Sequence, residues 1–267
     1  MKKMIVFVIA LIIGFSIYNH KTTSPIHTNA EENKENRENT SIFEGSLILI
    51  NKQLQVQNEA GNLIEIPRSI QSNVEVGDTY LMDATAINQL QKMFKAAKKD
   101  KINHFKINSA YRSPTLQQTL YAENGDTYAL PAGFSEHQSG YAVDIGSTKG
   151  MMGESNEGIW LANNAHRYGF ILRYPENKSH ITGISFEPWH FRYVGLPHSI
   201  IMHNHDFVLE EYIEQLQNGM VFETTISEIN YEVKYVSEKQ FSSTSTKKYV
   251  HISGDNEKGY IVTTVKD

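Results

Sequence analysis

Cysteine is absent from the 267 residues. Disulfides, thiol nucleophiles and thiolate metal sites are therefore excluded, leaving imidazoles and carboxylates as ligands for any transition metal. Also missing is a basic stripe interleaved with aromatics: 25 Lys and Arg stand against 30 Asp and Glu, a formal net charge of −5. No nucleic-acid partner is expected from such a balance. No period of the solenoid kind runs through the chain. The hydrophobic fraction of 40% is ordinary and supports one good-sized domain with room for a smaller appendage.

Long apolar runs are scarce, and the one present is at the N-terminus, where Lys2 and Lys3 precede Met4 to Ile17. The run is short for a spanning helix, which takes ~20 residues, and has the form of an export signal. No small-x-small cleavage site follows closely; the first candidate is Thr28-Asn29-Ala30, well downstream. A retained single-pass anchor over residues 1–20 is the expectation. The positive-inside rule then makes the rest of the chain extracellular at the cell membrane. Residues 21–42 are mostly polar, rich in Glu and Asn, and read as a flexible linker.

Residues 43–218 mix helical and strand periods. Ser46 to Gln57 and Asn62 to Ile66 read as strands joined by a turn ending at Gly61, a hairpin. Asp83 caps a helix carrying Ile87, Leu90, Phe94 and Ala97 on one face, with Lys98 and Lys99 in its last turn. Ser113-Pro114 opens a second helix that Gly125 stops. Strands are expected at Phe105 to Ser109, Tyr141 to Ile145, Phe170 to Tyr174 and Phe186 to Val194. Helices are expected at Asn156 to Tyr168 and at Phe207 to Leu216, the latter capped by Asp206. The class is α+β, a small antiparallel sheet with flanking helices. Residues 219–267 form a C-terminal β appendage, for which contact with wall or partner is the expectation.

Unusual residues gather in Ser109 to Ser113, Ser135 to Asp144 and Glu187 to His190. Each alone is weak: a His beside a Gly is usually a surface or hydrogen-bonded residue, and the helical H-E-x-x-H pattern is absent. Together, His137, Asp144 and His190 make two imidazoles and a carboxylate, three ligands that leave a fourth position open, as catalytic zinc requires. Glu187 is then the spare carboxylate, able to act as general base. Arg112 supplies a cationic fork suited to a carboxylate or an oxyanion; the plainer reading is a surface ion pair. Arg192 could hold a substrate carboxylate or pair with an acidic neighbour. His198, His203 and His205 read as surface histidines. Trp160 and Trp189 read as packing residues, with Trp189 also walling the site.

At these residues the chain resembles the zinc D-Ala-D-Ala carboxypeptidases and dipeptidases of the VanX/VanY type. Their Ser-x-His-x-x-Gly-x-Ala-x-Asp pattern is met from Ser135 to Asp144, and the Glu-x-x-His half by Glu187 and His190. The likeness runs from about Leu81 to Leu216. It includes Ser109 to Gln117, Tyr168 to Pro175 and Glu187 to Gly195, and within the family it leans to the VanY type. The resemblance implies a Zn2+ enzyme on the zinc site of residues 43–218 that removes the terminal D-Ala from peptidoglycan precursor peptides ending in D-Ala-D-Ala, a step in vancomycin resistance. It implies His137, Asp144 and His190 as metal ligands, Glu187 as base, and Arg112, Ser135 and Gln117 near the substrate. The alternatives are an L,D-carboxypeptidase on tetrapeptide stems and a catalytically silent wall-binding protein.

Overall fold

A computed structural model describes residues 40–125, 129–242 and 249–266. The expected anchor, and the linker up to residue 39, lie outside them. Among the described residues no helix is long and apolar enough to cross a membrane.

The chain order begins β1 (Leu63–Glu65), β2 (Val74–Val76), β3 (Leu81–Asp83), α1 (Ala84–Lys99), β4 (Phe105–Ser109) and α2 (Pro114–Asn124). A 3-10 turn at Glu136–Ser139 leads into β5 (Ala142–Ser147). Then come α3 (Asn156–Asn164), β6 (Phe170–Leu172), α4 (Ser179–Thr182) and β7 (His190–Tyr193). The last elements are α5 (His198–His205), α6 (Leu209–Gln217), β8 (Phe222–Ile226), β9 (Ile229–Ser237), α7 (Glu238–Ser242), β10 (Tyr249–Gly254) and β11 (Gly259–Lys266).

Asp83 ends β3 and starts α1, its carboxylate accepting from the Thr85 and Ala86 amides at 2.8 and 3.2 Å. Such a cap satisfies donors that a helix start leaves open. The apolar face of α1 expected from the sequence is the buried one, with Ala86, Ile87, Leu90, Met93, Phe94 and Ala97 all inside. It packs on a five-stranded sheet of order β2-β4-β5-β7-β6, forming a core of Phe94, Phe105, Ile107, Val143, Ile145 and Phe191. The sheet is antiparallel except where β2 runs parallel to β4. β5 is central and buried at every position.

A second core joins α5 and α6 to the C-terminal four-stranded sheet, order β10-β11-β9-β8. Leu47, Leu209, Ile213, Leu216, Val233 and Ile261 meet there. The sheet expected after Gly219 is thus present, and it shares its core with helices of the preceding region.

Four local expectations are corrected. Residues 46–57 form no strand, and the expected hairpin is absent; β1 pairs with β3 instead. The apolar residues Leu47, Ile48 and Ile50 are buried because the segment straps the two cores together, the Leu49 amide donating to the Asp255 carbonyl at 3.2 Å. The strand expected at Phe186 to Val194 shrinks to β7, since Pro188 has no amide to give a ladder and the His190 amide turns back to the Glu187 carbonyl. Asp206 does not cap α6. It ends α5 in the left-handed region (φ 53°), and Val208 precedes α6. Finally, His198 is fully buried, its Nδ1 2.9 Å from the Tyr212 hydroxyl, whereas His203 and His205 are exposed as expected.

Candidate metal centre

Sheet register assembles the site. β5 and β7 are neighbours with Asp144 opposite His190, and β4 sets Ser109 opposite Asp144 across an irregular register. Directly opposed residues bring their side chains within contact range on one face. His137 arrives from the 3-10 turn before β5. That turn closes at Gly140, in the left-handed region at φ 78°, where an added Cβ would lie 2.7 Å from the Leu63 side chain. Glycine is needed there both for the dihedral and for the space.

His137, Asp144 and His190 each present one ligand atom, and the three atoms lie within 4.8 Å of one another. His137 Nε2 is 3.3 Å from Asp144 Oδ2, and His190 Nδ1 is 3.3 Å from Asp144 Oδ1. The far nitrogen of each ring is held by the protein. His137 Nδ1 lies 2.6 Å from the Ala110 carbonyl, and His190 Nε2 lies 3.3 Å from Glu136 Oε2. Since these partners only accept, each far nitrogen donates its proton to them, and a cation bound at the centre would meet the lone pair of the other nitrogen, the one that faces Asp144.

Asp144 Oδ1 is buried and has no hydrogen-bond partner. A buried carboxylate oxygen without a hydrogen-bond partner, set 3.3 Å from the Nδ1 of His190, fits a cation. Two nitrogens and one oxygen, without thiolate, are the donor set of a catalytic zinc site with an open position.

Charges follow the same geometry. Burial would raise the Asp144 carboxyl, but His137 and His190 hold it well below the usual carboxylate range. Burial lowers His137, with Arg112 adding to the effect. Burial also pulls His190 down, yet the carboxylates of Asp144 and Glu136 beside the ring outweigh it and push it up to about 9. A cation and this proton compete for the same nitrogen.

Glu187 stands at the mouth, its Oε2 3.6 Å from His190 Nδ1 and its side chain 28% exposed. Burial raises its carboxyl above the ordinary value, partly offset by His190. Arg112 reaches the site too, its terminal nitrogen donating to Asp144 Oδ2 at 3.0 Å. Its Nε donates to Ser109 Oγ at 2.9 Å, and Gln117 Oε1 backs the guanidinium at 3.4 Å. Gln117 is the buried residue of α2, and its amide donates to the Leu130 carbonyl at 2.7 Å. Gln117 thus sits behind Arg112. Ser135 is buried just before Glu136, at the start of the 3-10 turn. Trp189 is 41% exposed and Phe186 38%, so Trp189 is not the packing residue expected from the sequence.

Arg192 does not reach the mouth. It is fully buried, with one terminal nitrogen 2.9 Å from Glu136 Oε1 and the other donating to the carbonyls of Ser46 and Ile48. Of its two readings, the acidic partner holds. Glu136 and Arg173 were not among the residues expected from the sequence, although they lie in the Ser135 to Asp144 and Tyr168 to Pro175 motifs. The available signal was an arginine within the apolar run Phe170 to Tyr174, which in a buried strand demands an anion.

Comparison with known proteins places the chain in a family. The family model VanY, D-alanyl-D-alanine carboxypeptidase, matches residues 79–196. A D-alanyl-D-alanine carboxypeptidase of Enterococcus faecium is 41% identical over 229 residues, 83% of this chain and 76% of that protein. The vancomycin-resistance D,D-dipeptidase VanXYg, solved with a D-Ala-D-Ala phosphinate analogue, is 29% identical with a TM-score of 0.71, covering 84% of this chain and 95% of that one. The LD-carboxypeptidase LdcB is 35% identical with a TM-score of 0.55, covering 62% and 84%. A D,D-pentapeptidase VanY variant from a VanB-type resistance cassette, solved with Zn(II), is 33% identical with a TM-score of 0.51, covering 64% and 99%. The chain belongs to the VanY-type D-alanyl-D-alanine carboxypeptidases, a family of metallopeptidases.

Proposed function

We propose that this chain is a zinc-dependent D,D-carboxypeptidase that removes the terminal D-alanine from peptidoglycan precursor peptides ending in D-Ala-D-Ala, and so contributes to vancomycin resistance. The observation that carries the reading is the convergence of His137, Asp144 and His190 beside a half-buried Glu187. The D-Ala-D-Ala analogue and the Zn(II) held by related structures support it.

In this reading His137, Asp144 and His190 hold the metal. Zinc there supplies Lewis acidity and lowers the pKa of water. Glu187 takes the proton of the attacking water and passes it to the amine of the departing D-alanine, a role suited by a carboxyl raised through burial. Arg112, braced by Ser109 and Gln117, offers its guanidinium to the substrate carboxylate or to charge developing on the carbonyl oxygen. Ser135 lies beside the bound peptide. Residues 1–20 anchor the chain, with the enzyme on the outer face of the membrane, where such precursors are reached.

Purified protein with zinc should release D-alanine from a muramyl pentapeptide. Glu187→Ala should bind zinc within about threefold of the parent while release, followed by mass spectrometry, falls about 10²–10⁴-fold. Undiminished release would sink the assignment. The likeness to LdcB makes a tetrapeptide stem the necessary second substrate. Loss of alanine from the tetrapeptide alone would replace the D,D reading by the L,D one.

A further inference from the structure

Among the described residues, Glu136 carries a carboxylate buried beside the metal centre that the proposed chemistry does not use. Its side chain is wholly inaccessible, on the 3-10 turn next to His137, and it points away from the mouth. One oxygen faces His190 Nε2 at 3.3 Å. The other accepts from Arg173 Nε at 2.8 Å and lies 2.9 Å from an Arg192 nitrogen.

Both arginines are themselves fixed. Arg173 closes a two-pronged pair with Glu210 of α6 at 2.7 and 2.8 Å, and Arg192 holds the carbonyls of Ser46 and Ile48. Two cations and two anions thus balance in the interior, and Glu136 cannot rotate without breaking contacts on several elements. A buried ion cluster this well tied sets the direction of whatever it touches.

What it touches is an imidazole with two possible tautomers. With Nε2–H donating to Glu136, Nδ1 is the nitrogen that faces Asp144 Oδ1 and is left to take a metal. His137 is held by a neutral acceptor, the Ala110 carbonyl; His190 is held by an anion, which also makes its free nitrogen a stronger donor to a metal.

We propose that Glu136 is a positioning residue of the metal centre: accepting from His190 Nε2–H, it orients that ring and tightens zinc binding without contacting metal or substrate. The proposal rests on the reading of His137, Asp144 and His190 as zinc ligands. The competing role is purely structural, neutralising Arg173 and Arg192, and would alter stability while leaving zinc affinity alone.

Chelator-competition titration separates the two. Parent protein should take up one zinc; no stoichiometric uptake would overturn the metal reading itself and this proposal with it. Glu136→Gln should weaken the zinc Kd about 10–100-fold, in protein whose apo form still melts cooperatively. A Kd within twofold of the parent overturns the proposal and leaves the metal reading standing. Should the variant fail to fold, the zinc-loaded parent decides by long-range nitrogen–proton NMR. An exchange-protected, downfield Nε2–H on His190 is expected; a proton on Nδ1 overturns the proposal.

Discussion

Arg112 shows how a single side chain acquires a role through its supports. A guanidinium 3.0 Å from Asp144 could be read as a simple ion pair, but Ser109 and the buried Gln117 hold it so that part of the group remains open to solvent, 21% of the side chain. A fixed cation facing a reaction centre stabilises charge that appears only during reaction. Arg112→Ala is expected to lower kcat/KM for D-alanine release about 10²–10³-fold. Arg112→Lys should recover little, because an ammonium cannot hold Ser109, Gln117 and Asp144 in one plane. Steady-state kinetics of the two variants check this; near-parental kcat/KM in Arg112→Ala would make the arginine a structural partner of Asp144 only. At this scale the candidate ligands, Glu187 and Arg112 were legible because their residue types are unusual at motif spacing. Arg192 was ambiguous, since the side chain of a strand arginine is long enough to point to either end of its neighbours.

Elements deliver those residues, and the tightest constraint lies in the turn feeding β5. Gly140 combines a left-handed dihedral with a Leu63 side chain at the place a Cβ would occupy. Gly140→Ala is expected to destabilise the fold by about 1–3 kcal/mol and to lower bound zinc, because the same turn carries Glu136 and His137. Urea melts together with metal analysis test it; an unchanged midpoint and full zinc would show the turn to be pliant. Helices α1 and α2 were predictable because caps and stops are local signals, to which α1 adds an apolar period. The strap at residues 46–57 was not. Its backbone is committed to residues far along the chain, the Ser46 and Ile48 carbonyls to Arg192 and the Leu49 amide to the Asp255 carbonyl, and a strand pattern without a partner strand makes no sheet.

At the scale of the whole molecule the second core, which ties α5 and α6 to the C-terminal sheet, also holds a polar contact between His198 of α5 and the partly buried His251 of β10, 3.2 Å apart. Burial depresses both: His198 lies well below an ordinary imidazole, and His251 falls to about 4. The folded state therefore holds these rings neutral, while the unfolded chain takes up protons near pH 6.5. Their contribution to stability is complete above that pH and is lost as the pH falls toward about 4. Between pH 7 and pH 5 the parent should lose about 1–2 kcal/mol more than His251→Asn, read from urea melts at both values. Equal losses would remove His251 from the balance.

Within those limits the sequence by itself determined the metal ligand candidates, the spare carboxylate, the α+β class and the best helices. All of these are written in residue types at short spacing, where local stereochemistry and ligand chemistry dominate. Tertiary structure alone decided which nitrogen of each histidine faces the site, that Glu136 and Arg192 form a buried ion cluster, and that His198 is interior. The reason is physical: a charge or an imidazole takes its direction from partners that oppose its burial, and here those partners, from Ser46 to Glu210 and His251, come from segments far apart in the chain.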